Sequence, residues 1–369
     1  MNVLQIAIGV TASKVYSKLF SELKKQHIPF MVYVPLHGNN NTKDINEIDF
    51  PFYYYSNEII KPYDKLIYFT KIRRMVKDVE LNFNLSEVSL VHAHSLFSDG
   101  AVAYELYKKY DIPYIIAVRN YDVNKYFKYA FHLRKYALEI ILNAKKVIFI
   151  SPSYQKHVID KYIPNKFREK ILLNTKIIPN GVDDYWLKQT LVEKTIDKKL
   201  KLIFVGRIDN NKNLAAVIQV VDLLRKKGMD CTLDVVGDGP LREAHENECR
   251  GVENIVFHGA IYDKDKIREI YINSNILVVP SFTETFGLVY LEAMSCGVPV
   301  IYTQNQGFDG QFEEGEVGFH VNPNDKEDIV RKIIDIRKDY INISQNCLRS
   351  TKKFHWEKIA REYINFYED

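Results

Sequence analysis

Short apolar runs recur along the chain, separated by polar or amphipathic sequence. Val3–Ile8 reads as a buried strand, and the spacing of apolar positions in Ser13–Gln26 predicts a helix behind it. Phe30–Val34, Leu90–His92, Tyr114–Val118 and Val147–Ile150 predict further strands with amphipathic sequence after them. That alternation is the βαβ rhythm of a parallel, doubly wound sheet. The second half repeats it, with strands expected at Leu202–Val205, Thr232–Val236, Ile255–His258, Ile276–Val279 and Val298–Tyr302. Two similar α/β domains follow, rather than one long sheet. The turn residues Pro179, Asn180 and Gly181 mark the join. The tail Trp356–Tyr367 has helical periodicity and no strand after it.

A length of 369 residues suits two domains, since single cores stop growing at about 250–300 residues. No apolar stretch approaches the ~20 residues of a membrane span. The first residues run directly into a strand without a basic leader or cleavage site, so no signal peptide is expected. Cys231, Cys249, Cys296 and Cys347 are scattered, which argues against a zinc site or disulfide framework and fits a reducing cytoplasm. The net charge of +4 is uneven. Residues 1–184 hold 26 Lys and Arg against 18 Asp and Glu, leaving 25 against 29 in the remainder. A basic first half suits an anionic partner; drift of surface charge is the plainer alternative.

Two motifs carry the chemistry. Phe204-Val-Gly-Arg-Ile-Asp-Asn-Asn-Lys-Asn213 leaves a strand directly. Gly206 allows a tight turn at the strand's carboxyl end, where open α/β sheets bind ligands, and Arg207 and Lys212 bring two cations there. A diphosphate needs that pair, a fork for two oxygens and a point charge. The second motif is Pro280-Ser-Phe-Thr-Glu284-Thr-Phe-Gly-Leu-Val-Tyr-Leu-Glu292. A helix is expected to begin near Phe286 or Gly287, with amides able to bind phosphate. Glu284 would then lie near a sugar and Glu292, two turns on, near a ribose, because carboxylates accept hydrogen bonds from hydroxyls. A capping carboxylate and a solvated helical Glu are the alternative, yet Leu288, Leu291 and Met294 frame Glu292 toward a buried face.

Gly206-Arg207 with Lys212-Asn213, Gly237-Asp-Gly-Pro240, Glu284 and Glu292 eight positions apart, and Gly297-Val-Pro-Val300 resemble the family 4 retaining glycosyltransferases of the GT-B fold. Pro179-Asn-Gly-Val-Asp183 and Phe354-His-Trp-Glu357 are similar to that family too. The resemblance implies two Rossmann-like domains facing a central cleft, residues 1–183 on the acceptor side and 184–354 binding a nucleotide sugar. Residues 355–369 would cross back as a helix to complete the first domain. It implies that Arg207 and Lys212 bind the donor diphosphate and that Glu284 contacts the transferred sugar. Phe286, Gly287 and Leu288 would offer backbone contacts, Glu292 would hold the ribose, and Gly259 and Ile261 would lie beside the base. Gly9, expected by the resemblance among the donor-binding residues, stands alone where the family has a Gly-Gly pair. Arg119 stands where the family has a His, with Asp122 retained nearby; a guanidinium cannot serve as a base there.

His92 and His94 share one sheet face by alternation but lack a third metal ligand of good spacing. His94 is expected either on the acceptor side or packed in the core. Asp263 and Asp265 precede a helix, where a capping role competes with a metal role and is preferred. No metal or other cofactor is required beyond the donor, for which a UDP-sugar is expected. In Tyr121–Lys146, six basic residues against two acidic ones interleave with aromatics, suiting an anionic membrane surface; an ordinary amphipathic helix is the alternative. Nucleic acid is not an expected partner. The expectation is a retaining, metal-independent hexosyltransferase, cytoplasmic or peripheral on the inner face of the cell membrane. It would act on a lipid-linked glycan for cell-surface or capsular polysaccharide. A nucleotide-sugar hydrolase or epimerase on the same fold, or a non-catalytic sugar-binding partner subunit, would share much of this pattern.

Overall fold

Nearly every apolar run becomes a strand whose neighbours run parallel to it. The computed structural model describes residues 2–10, 13–37, 54–187, 194–196 and 198–368. They fall into two units, Met1–Gly181 with Trp356–Asp369, and Val182–His355.

The first unit runs β1 (Val3–Ile6), α1 (Lys14–Lys25), β2 (Phe30–His37), β3 (Tyr54–Ile60), α2 (Tyr68–Asn82), β4 (Leu90–Ala93), α3 (Asp99–Tyr110) and β5 (Tyr114–Val118). It continues through α4 (Arg134–Asn143), β6 (Lys146–Phe149), α5 (Pro152–Tyr162), α6 (Asn165–Leu173) and β7 (Thr175–Ile177). The sheet order is β3-β2-β1-β4-β5-β6-β7, parallel throughout. Local chemistry starts the helices where it should. Ser13 caps α1 by accepting the Val15 N–H, and Ser151 caps α5 ahead of Pro152 at its first position. Lys24 and Lys25 close α1, where cations favour the helix dipole.

The second unit runs α7 (Asp184–Leu187), β8 (Leu200–Val205), α8 (Leu214–Lys226), β9 (Cys231–Val236), α9 (Arg242–Glu248), β10 (Ile255–Gly259) and α10 (Lys264–Asn273). There follow β11 (Ile276–Val278), α11 (Leu288–Ser295), β12 (Val300–Thr303), β13 (Gly318–Val321), α12 (Lys326–Lys338) and α13 (Tyr340–Ser350). Its parallel sheet has the order β10-β9-β8-β11-β12-β13. In each sheet the order reverses at one place, between β1 and β4 and between β8 and β11. Ligands of open α/β sheets bind outside the carboxyl ends of the strands at that reversal.

The last helix, α14 (Trp356–Glu368), belongs to the first unit. Trp356, Ile359, Tyr363, Phe366 and Tyr367 share a core cluster with Leu19, Phe20 and Leu23 of α1. Burying each such side chain contributes roughly 1.5–3 kcal/mol. Gly181 leaves room for Trp356, since a Cβ there would lie 2.5 Å from the indole ring. No helix among the described residues is long and apolar enough to cross a membrane.

Among the described residues, three strands arise where no apolar run predicts one, namely β3, β7 and β13. Each is an outermost strand of its sheet, bonded on one side only. The stretch from Tyr121 onward is not one helix. A π-helical turn (Asp122–Phe127) and a 3-10 turn (Phe131–Leu133) precede α4.

Candidate donor site of the second unit

The loops leaving β8 and β11 flank the strand-order reversal of the second sheet, and they are tied to each other. Asn211 Oδ1 accepts from the Thr283 N–H at 3.0 Å and from its hydroxyl at 2.7 Å. Asn211 Nδ2 donates to the Thr283 carbonyl at 2.9 Å. Phe282 N donates to the Asn211 carbonyl at 2.8 Å. Further on, Asn213 adopts the left-handed region at φ 58° and its amide reaches the Pro280 and Pro323 carbonyls. The amide is the reason an Asn suits the position, since its side chain satisfies loop carbonyls from two other segments.

Lys212 sits in this knot. Its N–H is accepted by Asp209 Oδ1 at 3.0 Å, and its Nζ donates to Glu284 Oε2 at 2.5 Å. The Glu284 side chain is almost enclosed, 10% exposed. Its Oε1 accepts the Thr285 N–H at 3.0 Å, and Ser281 Oγ lies 3.4 Å from its Oε2. The Glu284 backbone is held as well, N–H to Gln306 Oε1 at 3.1 Å and carbonyl to Gly307 N at 3.1 Å. Gly307 is required there, because a Cβ would meet the Thr285 carbonyl oxygen at 1.7 Å. Arg207, by contrast, is 71% exposed and only loosely held, its Nε 3.6 Å from Asp209 Oδ2. The Asp209 carboxylate thus meets Arg207 at its guanidinium and Lys212 at its backbone N–H.

Beyond Glu284 the chain turns into α11. Gly287 caps that helix at φ 77°, in the left-handed region, and a Cβ there would meet the Tyr290 ring at 2.3 Å. The first amides of a helix have no acceptor within it, so they face outward at this point. Phe286 is buried between Phe308 and Phe354, ring centroids 5.9 Å from each. Its side chain is a core anchor, leaving its backbone for any ligand. Leu288 is half-buried. Glu292, on the same helix, lies apart from the Lys212–Glu284 pair. Its Oε2 is 3.5 Å from the Tyr271 hydroxyl, and burial pushes its carboxyl up to about 7, against the pull of that hydroxyl and of Lys264.

The neighbouring strand ends close the floor. Gly206 N donates to the Val236 carbonyl and Gly237 N to the Gly259 carbonyl, joining the ends of β8, β9 and β10. A Cβ on Gly237 would stand 1.8 Å from the Gly206 oxygen. Ile261 is half-buried just past Gly259. Asp263 caps α10 by accepting the Asp265 and Lys266 N–H groups, and Asp265 accepts the Tyr185 hydroxyl at 2.5 Å. Both carboxylates are engaged structurally. Elsewhere in this unit, Asp309, Glu314 and His320 bring ligand atoms within 4.8 Å of one another. They are bonded among themselves, His320 Nδ1 at 2.8 Å from Asp309 and 3.2 Å from Glu314.

In the first unit, Gly9 lies in the loop after β1, where a Cβ would come within 3.0 Å of the Tyr16 ring. His94 is fully buried, its Nε2 2.8 Å from Gln5 Oε1 and its ring 4.0 Å from that of His92. Of its two expected settings, core packing is the one its side chain adopts. His92 in turn reaches the Tyr367 hydroxyl at 2.7 Å. Burial holds both imidazoles well below their usual range, and hence neutral. Arg119 is half-buried and extends toward the His94 carbonyl, Asn180 Oδ1 and the Tyr363 hydroxyl, each at 3.4 Å. Asp122 is buried and fills its carboxylate with backbone donors, the N–H groups of Leu96, Phe97 and Arg119. Burial nevertheless raises its carboxyl to about 6.

A parallel sheet in each unit, with a cation, a carboxylate and a helix start gathered at the strand-order reversal of the second, fits a sugar-nucleotide transferase. The first unit matches the family described as Glycosyltransferase Family 4 over residues 14–185, and the second matches glycosyl transferases group 1 over residues 189–354. Together these matches cover nearly the whole chain, which belongs to the GT-B glycosyltransferases and transfers sugar from a nucleotide-sugar donor. A Methanocaldococcus jannaschii protein named as an uncharacterized glycosyltransferase is 27% identical, across 93% of this chain and 96% of that one. The lipopolysaccharide outer core galactosyltransferase WaaB superposes with a TM-score of 0.74 at 17% identity, covering 100% of this chain and 99% of its own. Anabaena HepE, solved with UDP and glucose, superposes with a TM-score of 0.68 at 18% identity, covering 100% and 99%.

Asn211, Ser281, Thr283 and Gln306 carry no role in the sequence expectations. The first three had only their place inside the two motifs as a signal, whereas Gln306 acts through a hydrogen bond to the loop of Glu284 from a separate loop.

Proposed function

We propose that this chain transfers a hexose, with retention of anomeric configuration, from a UDP-sugar to a lipid-linked glycan in the synthesis of cell-surface or capsular polysaccharide. The observation that carries the reading is the Lys212–Glu284 pair seated beside the head of α11. A diphosphate beside Lys212 would be bound by that ammonium, by the exposed fork of Arg207 and by the amides of Gly287 and Leu288. These donors stabilise the negative charge that grows on the leaving group. Glu284, released from Lys212 as the phosphates bind, accepts hydrogen bonds from hydroxyls of the transferred sugar. Glu292 takes the ribose hydroxyls, while Gly259 and Ile261, with Gly206 below, border the base.

No side chain in this set is placed as a nucleophile, which favours attack on the same face assisted by the leaving phosphate, without a metal ion. On the first unit, Arg119 faces the acceptor, while the loop at Gly9 is assigned to the donor. Asp122 acts by holding the Arg119 backbone, and His94 by presenting its carbonyl to the guanidinium. The presence of UDP and glucose in HepE supports the donor, and the name of WaaB supports a lipid-borne glycan acceptor. The site of action is the inner face of the cell membrane.

Thermal stabilisation by a panel of nucleotide sugars tests the donor. A UDP-sugar at ~100 times its dissociation constant should add about 2.7 kcal/mol, and no shift with any member overturns the reading. Turnover should require acceptor; full consumption of donor without one would instead indicate a hydrolase or epimerase.

A further inference from the structure

Two loops of the first unit carry an unusual share of exposed apolar side chains. After β3, Leu66 is 88% exposed, with Ile67 and Phe69 also open to solvent. After β5, Tyr121 and Tyr129 are exposed and Phe131 is 65% exposed. The two segments touch: the ring centroids of Tyr68 and Tyr126 stand 6.5 Å apart and those of Phe69 and Tyr136 5.3 Å. They therefore form one continuous surface.

Its charge is one-sided for a structural reason. Residues 61–77 and 119–138 contain just two acidic residues, Asp64 and Asp122. Both are buried, Asp64 against Arg74 and Asp122 against backbone amides. What remains at the surface is Arg73, Lys77, Lys125, Lys128 and Lys135. Lys125 and Lys128 lie over the Tyr129 ring at 5.9 and 5.2 Å, and Arg134 over Phe131 at 4.6 Å. Of the carboxylates behind this surface, Glu139 is half-buried, and Glu105 is bonded by Tyr136 and paired with Lys108.

We infer that this surface docks on an anionic lipid bilayer, with Leu66, Phe69, Tyr129 and Phe131 entering the headgroup region and the lysines resting on acidic headgroups. Aromatic rings with adjoining cations are the composition that partitions to that zone. Contiguous exposed apolar side chains on a soluble surface mark an interaction site, and buried acids with exposed bases select a negative partner. Both loops leave the carboxyl ends of their parallel strands, the sheet edge at which ligands of such folds bind. A bilayer at that edge would deliver a lipid-borne acceptor where Arg119 lies. For its purpose the inference rests on the acceptor reading above, while its test is read on lipid binding alone.

The test is flotation of the full chain with vesicles of phosphatidylcholine, alone or mixed with phosphatidylglycerol, at low and high salt. Wild type should bind the mixed vesicles, release with salt and leave neutral vesicles unbound. Each lysine near an anionic surface contributes a factor of about 5, so K125Q/K128Q should weaken binding about 30-fold. L66D/F131D should lose it as well. Stabilisation by UDP-sugar should persist in both variants, which separates this outcome from failure of the donor reading. Independently of any variant, wild-type amide exchange at 66–69 and 125–131 should slow when mixed vesicles are added. Unchanged binding by either variant, equal affinity for neutral vesicles, or binding of single-stranded RNA in place of vesicles overturns the inference.

Discussion

Lys212 and Glu284 are 72 residues apart in the chain and 2.5 Å apart at Nζ and Oε2. The cation proposed to meet the diphosphate is thus already satisfied by the carboxylate proposed to meet the sugar. A donor entering this site exchanges one ion pair for two sets of contacts. The exchange avoids leaving either enclosed charge bare before the donor arrives.

Replacing Lys212 with Ala should therefore do two separable things. Stability should drop by about 1–3 kcal/mol, because Glu284 loses its cation, and turnover should fall by roughly 10²–10³-fold. Adding Glu284→Ala should restore part of the stability and none of the turnover. Urea denaturation and initial rates across the double-mutant cycle measure both; wild-type rates in K212A would remove Lys212 from the donor site.

Asn211→Ala removes the side chain that spans the β8 and β11 loops. The expected loss is about 1–3 kcal/mol of stability for its side-chain hydrogen bonds. The apparent donor KM should rise more than kcat falls, since Lys212 and Glu284 themselves are untouched. Steady-state kinetics over a range of donor concentrations decide the point.

Gly307→Ala places a methyl 1.7 Å from the Thr285 oxygen. Backbone must shift to admit it, at about 1–3 kcal/mol, and the segment that shifts carries Glu284. Donor-induced thermal stabilisation should shrink with it. Retention of the full shift would show that this loop does not hold the carboxylate in place.

Glu292 predicts a pH effect on stability. Burial raises its carboxyl from an ordinary 4.5 to about 7, so the folded chain holds this proton more tightly than the unfolded one. The contribution is full below 4.5 and is lost as pH rises through 7. Asp122 and Asp99, raised by burial to about 6 and about 8, act in the same sense within the first unit. Glu292→Gln should accordingly remove only part of the decline. Denaturation series between those pH limits, wild type against variant, show it; parallel curves would place Glu292 in a more solvated setting.

The central strands were legible because burial on both faces writes itself as continuous Val, Ile and Leu. Tyr114–Val118 is the clearest example, expected and found over the same residues. β3, β7 and β13 were not, since each has a neighbour on one side only and mixes polar with apolar positions. In the site, Lys212 and Glu284 stood out by type and spacing. Two of their supports, Asn211 and Gln306, did not, because common polar residues acquire meaning only when folding brings distant loops into register. Leu66 and Phe69 were equally silent, as an apolar residue in sequence reads as core by default.

The position of α14 sets an order on biosynthesis. The face of α1 that receives Trp356 and Tyr363 is made early, while the helix that covers it emerges after all of residues 182–355. The first unit thus waits on the ribosome for its final piece, with an apolar flank open throughout translation of the second. A premature stop anywhere in the last thirteen codons of that helix would strike the unit made first, and a chaperone that shields α1 would have its longest engagement there.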